Sequence, residues 1–335
     1  PIGSAEFNNK RRAKRRRVVP RHVRLPHNNC RAIRLALPLR MRLSVMPDRP
    51  TTLQNKCCAY CGAQLSKKCE TKDHVVARSF VPKNSMNGSW NLVVKACVAC
   101  NGIKSALEDD ISAVTMAHHQ FNFSTDLSDK YKSEANRKGH RSVSKRTGKR
   151  VSESIERLAI SSQGSAISLS GSFTCPPQIE ESRAFELARM QVLGFFYFLT
   201  YKQNERTGHY WRGKFFALNA AIRADWGNDI QRHFMNLVAT WDYRLITAIA
   251  NESFKASIRK HPEGDAWSWA LEWNESLRLI GFFGDEAICQ DLANSTPKLQ
   301  TRLLAEDVSS WFRYRIDTPL DTSKDVLFKF PEIRD

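Results

Sequence analysis

Two Cys-x-x-Cys pairs, Cys58/Cys61 and Cys97/Cys100, constrain this chain more than any other feature. Four thiolates at such spacing can close a tetrahedral zinc site, and a metal held this way stands in for a hydrophobic core in a small module. The matching spacing favours these four over their neighbours Cys57 and Cys69. Nine cysteines, an odd number with four in metal-type pairs, fit a reducing compartment better than a disulfide framework. Cys30, Cys175 and Cys289 read as plain thiols.

The residues between the pairs set out a small α+β unit. Gly62 supplies the turn after the second thiolate. The run from Glu70 to Val76 is β-prone and carries Asp73 and His74 towards its end. Pro82, Asn84, Asn87 and Gly88 supply turn chemistry, and Trp90–Val94 reads as the returning strand of a hairpin. A helix opens at Cys97–Asn101, with Ile103, Leu107, Ile111 and Val114 spaced for one apolar face. His118-His119 reads as its solvated end.

The chain of 335 residues carries a formal net charge of +18, which points to a polyanionic partner. Much of that charge is local: residues 1–47 hold 13 Lys and Arg against one acid, Glu6. Residues 1–50 read as a disordered basic arm, partly vector-derived, with Met41 and Met46 as alternative natural starts. Residues 51–125 form the cysteine module. Residues 126–180, basic from Lys130 to Arg150 and then Ser/Gly-rich, read as a linker or as a phosphate-binding strap. Residues 181–335 read as a separate α+β domain for recognition, regulation or oligomerisation. Within it, Phe185–Tyr201 and Asp229–Ala250 read as helices. Trp267–Trp273 reads as a strand with three Trp on one face, turning through Asn274-Glu275 into Leu277–Ile280. No apolar run reaches the roughly 18 residues of a membrane span. The expectation is a soluble, cytoplasmic protein without a membrane partner.

Cys58-x-x-Cys61, Asp73-His74, Asn91 and Cys97-x-x-Cys100-Asn101-x-x-Lys104 together resemble the HNH endonucleases over roughly residues 53–118. The resemblance implies a ββα-metal module that hydrolyses phosphodiester bonds in DNA, with RNA left open, and restriction or antiviral defence as a setting. It implies His74 as general base, Asp73 and Asn101 as ligands of a catalytic Mg²⁺ or Mn²⁺ ion, and Asn91 as the group that orients the base. Asn101 stands where many members carry His, which favours the harder Mg²⁺. The cysteine zinc is structural in this reading. Lys104, and with less motif support Arg78 and Lys95, are the expected nucleic-acid contacts. One such site cuts one strand, so double-strand cleavage calls for a homo-oligomer. The competing expectation is a non-catalytic zinc ribbon that binds nucleic acid through its basic tracts; such a ribbon has no need of Asp73, His74 and Asn101.

Overall fold

The computed structural model describes residues 49–123, 129–163, 168–306 and 311–330. The expected basic arm, with Cys30, lies outside them except for its last two residues.

Around the cysteines, β1 (Thr51–Thr52), β2 (Glu70–His74) and β3 (Leu92–Cys97) form a sheet in the order β1-β3-β2. β2 runs antiparallel to β3, with Asp73 opposite Val94 and His74 opposite Val93; β1 runs parallel to it. Asn55 prolongs the pairing beyond the short β1: its side chain donates to the Lys95 carbonyl and accepts from the Lys95 amide, both at 2.8 Å. α1 (Val98–Phe123) follows β3 directly. Leu107, Ile111 and Val114 are buried as their periodicity predicts, but Ile103 is 55% exposed and Lys104 is 0% exposed. The inward position in the second turn faces the carboxylate of Asp73. An ammonium there neutralises a charge that isoleucine would leave buried and unpaired.

Residues 126–180 are not the expected linker. α2 (Asp129–Arg141) packs on α1, and β4 (Glu156–Gln163) pairs antiparallel with β5 (Ser168–Cys175). The Ser/Gly-rich composition that suggests a flexible tether is here held by a backbone ladder.

α3 (Glu181–Leu199) covers the helix expected over 185–201 except for its last two residues. Beyond it lie β6 (Phe215–Ile222), α4 (Asp229–Leu237), β7 (Asp242–Ile249), β8 (Phe254–Lys260), β9 (Ala266–Trp273), β10 (Leu277–Gly284) and α5 (Glu286–Asn294). A small hairpin of β11 (Arg302–Glu306) and β12 (Trp311–Tyr314) follows. The helix expected over 229–250 stops at Leu237; the rest is β7, whose Leu-Ile-Thr-Ala-Ile run suits a strand paired with β8. The turn at Asn274-Glu275 has φ of +48° and +53°, and Ser276 follows before Leu277 pairs with Trp273.

These strands form one antiparallel sheet in the order β6-β10-β9-β8-β7. Every residue of β9 and β10 is buried, so both faces are covered. Trp267, Trp269 and Trp273 share a face that meets α3 and the cysteine-bearing segment: Trp267 lies 5.2 Å from Phe196, and Trp273 lies 5.4 Å from Phe80. On the opposite face Ala270, Ile280 and Phe282 meet Phe234, Met235 and Cys289 of α4 and α5. One apolar core therefore runs from Leu53 to Phe283. Residues 45–335 make a single compact unit, not the expected 51–125 module plus a separate 181–335 domain. Gly194 of α3 marks the contact, because a Cβ there would run into the side chain of Val75.

Candidate metal centre and adjoining cleft

The sulfurs of Cys58, Cys61, Cys97 and Cys100 lie within 4.8 Å of one another, and Cys61 and Cys97 are 3.9 Å apart. Thiolates at about 2.3 Å from a tetrahedral zinc sit roughly 3.8 Å from each other, so the four fit a shared metal. Among the described residues this is the only group of three or more His, Cys, Asp and Glu side chains placed to hold an ion. Cys57 and Cys69 stand outside it, engaged with Gln64 and Ser66. Burial raises the Cys58 thiol to about 11, against backbone amides of Cys97, Cys61 and Tyr60 that favour its thiolate. Gly62, at φ +73°, makes the turn: its amide donates to the Cys58 carbonyl at 2.9 Å. Any larger residue would strike the ring of Tyr210, which covers the turn.

Beside the cysteines lies a buried polar network. The Tyr60 hydroxyl donates to one oxygen of Asp73. Lys104 donates to the other at 3.2 Å, to Glu108 at 2.8 Å and to the His74 carbonyl at 2.8 Å. Three acceptors use all three ammonium protons. Burial, together with the negative Asp73, holds the Tyr60 hydroxyl well above its ordinary value. Burial also raises Glu108, with Lys104 opposing. Tyr60 and Glu108 have no place in the sequence expectation. Their signals were a tyrosine inside the first cysteine pair and an acid four residues after Lys104.

His74, half-buried at the end of β2, has its pKa lowered by burial and by Arg78 and Lys104, with Asp73 opposing. Asn91 is buried: it donates to the Val76 carbonyl at 2.8 Å and accepts from the Leu92 amide at 2.8 Å, fixing the chain just after His74. Asp73 and Asn101 line one cleft of about 580 Å³, with Ser79, Glu108 and Asp109 on its wall. Asp73 and Asn101 thus line the same cleft, His74 is not among its lining residues, and the Lys104 ammonium bonds to Asp73.

The three expected phosphate contacts fare differently. Lys104 is fully buried and spent on its acceptors, so it is not one. Lys95 pairs with Glu70 at 3.0 Å and is not among the residues lining this cleft. Arg78 is exposed and acts electrostatically on His74. His118 and His119 are not a solvated helix end; each is 4% exposed. The His118 ring meets the Pro177 carbonyl. Close by, Asn274 at the tip of the β9–β10 hairpin donates to Thr115 of α1 at 2.8 Å and to the Phe80 carbonyl at 3.3 Å. No helix among the described residues is long and apolar enough to cross a membrane.

No protein-family model, curated protein or solved structure matches this chain. The functional reading therefore rests on the residues and their geometry.

Proposed function

We propose that the chain is a zinc-stabilised, metal-dependent endonuclease acting on DNA. The observation that carries this reading is that Asp73 and Asn101 line one cleft, with His74 next to Asp73 and Cys100 of the four-cysteine group next to Asn101 in the chain. Zinc suits the four sulfurs, and it would be structural because no position is left for water or substrate. A bound Mg²⁺ or Mn²⁺ supplies charge stabilisation at a phosphate, and Asp73 and Asn101 are the residues that would hold it. His74, kept neutral at pH 7 by burial and by its cationic neighbours, takes the proton of the attacking water. Asn91 holds the backbone after His74 and so steadies the ring that must accept that proton. Tyr60 and Lys104 hold the two oxygens of Asp73 in place.

One observation favours the second reading, a non-catalytic zinc ribbon that binds nucleic acid. Both oxygens of Asp73 already have partners, and the Lys104 ammonium sits between Asp73 and Glu108 where a cation would be welcome. Incubating supercoiled plasmid with the full chain and Mg²⁺ or Mn²⁺ separates the two. The endonuclease nicks it, and His74→Ala lowers the rate by the roughly 10²–10⁴-fold expected of a lost general base. Plasmid left intact with both metals, while DNA is bound, supports the ribbon.

A further inference from the structure

A second cleft of about 390 Å³ adjoins the first and shares Ser79, Glu108 and Asp109 with it. Its outer wall is α2, which contributes Arg137, Lys138 and Arg141. α2 lies outside the stretch that carries the cysteine and Asp-His pattern, and the reaction described above makes no use of it.

Three features make this wall a built one. Lys138 is buried and donates to the Ser79 carbonyl and the Ser112 hydroxyl, which pins α2 to the loop after His74 and to α1. Burial lowers its pKa to about 8, as expected of an ammonium spent on structure. Arg137 and Arg141 are four residues apart and so share one helix face. Arg137 is held by two bonds to Glu134, at 2.6 and 2.8 Å, with its side chain 45% exposed. Arg141 is exposed and, among the described residues, forms no ion pair. Of the acids facing this space, Glu108 is neutralised by Lys104, and Asp109 accepts from Ser142 at 2.8 Å. The outer wall therefore offers guanidinium groups, while Glu108 is buried and Asp109 stands exposed on the wall shared with the first cleft.

We propose that the Arg137/Arg141 face of α2 is the track for a nucleic-acid backbone, holding phosphates next to the one presented to Asp73 and His74. Guanidinium forks suit phosphate oxygens, and such contacts position the strand without reading its sequence. This deepens the endonuclease reading and rests on it for the place of the scissile phosphate.

The test is fluorescence anisotropy of a labelled 30-base-pair DNA duplex over a series of salt concentrations. The full chain is used in a His74→Ala background, so that the DNA stays intact. Losing one phosphate contact reduces the slope of log affinity against log salt by about 0.9. Arg141→Gln is expected to show that reduction and weaker binding on every duplex sequence, Arg141→Lys to restore the slope, and Arg137→Gln to act in the same direction as Arg141→Gln. Lys202→Gln, the same charge loss outside both clefts, is expected to leave the slope nearly unchanged. Arg141→Gln and Arg137→Gln with wild-type slope and affinity would overturn the proposal, as would Lys202→Gln matching them. The two readings fail separately. A chain that binds through Arg141 but never nicks plasmid loses only the endonuclease; one that nicks plasmid with its affinity indifferent to Arg141 loses only the track.

Discussion

The three-stranded cysteine sheet and the five-stranded tryptophan sheet solve the same problem by different means. The second buries both faces, one against α3 and one against α4 and α5, with Trp269 and Trp273 fully enclosed. The first is too small for that. The α1 helix beside it leaves Val98 and Ile103 in solvent, and the region carries a four-sulfur cluster and an ionic network at Asp73, Lys104 and Glu108. The difference shows where function can reside. The tryptophan sheet also encloses ions, Glu272 and Arg278 paired at 2.8 Å, but the cysteine region has its Asp73 and Glu108 on the wall of a cleft. The two still share one core, so neither should fail alone.

The largest effect tests that sharing. Removing the proposed zinc with a chelator, or making Cys97→Ser, should cost most of the binding energy of a structural zinc, on the order of 10 kcal/mol. Unfolding followed by Trp fluorescence should then show the tryptophan sheet loosening together with the cysteine segment. An unchanged tryptophan transition in the metal-free protein would mean that the two regions fold independently.

A smaller effect approaches from the other side. Trp273 packs against Phe80 and donates to Gln191 at 3.0 Å, so Trp273→Ala leaves a cavity between the regions. The expected loss is about 3–5 kcal/mol in urea denaturation. It should be accompanied by weaker metal retention, read by competition with a zinc-binding dye. Retention equal to wild type would confine Trp273 to its own sheet.

The smallest effect is one of pH. Burial holds the His118 pKa below its ordinary value, so the folded chain prefers the neutral ring. That contribution is complete above about pH 6.5 and is lost as the pH falls through the lower folded value, at about 1.4 kcal/mol per unit of depression. His118→Gln can keep the bond to Pro177 but does not titrate. Its urea midpoint should therefore fall less than wild type between pH 7.5 and 5.5. Comparing the two proteins cancels the acid sensitivity of the thiolate site, and parallel curves would remove His118 as a cause.

What was legible in advance was local. The cysteine spacing, the strand–turn–strand–helix order around Asp73-His74 and the Asn274-Glu275 turn follow from residues a few positions apart; the order formed as expected, though β2 stops at His74 and β3 runs from Leu92 to Cys97. So did the shared face of the three Trp. What only the tertiary structure decided required a distant partner. Lys104 turned inward because Asp73, Glu108 and the His74 carbonyl were waiting for its three protons. Residues 242–249 became a strand because β8 offered a ladder, and residues 156–163 and 168–175 paired where their composition suggested a tether. The boundary expected near residue 180 vanished because the cysteine segment has an apolar face that only α3 and the tryptophan sheet can cover. Sequence spacing records which groups can act together. Burial, a property of the whole chain, decides which of them remain free to do so.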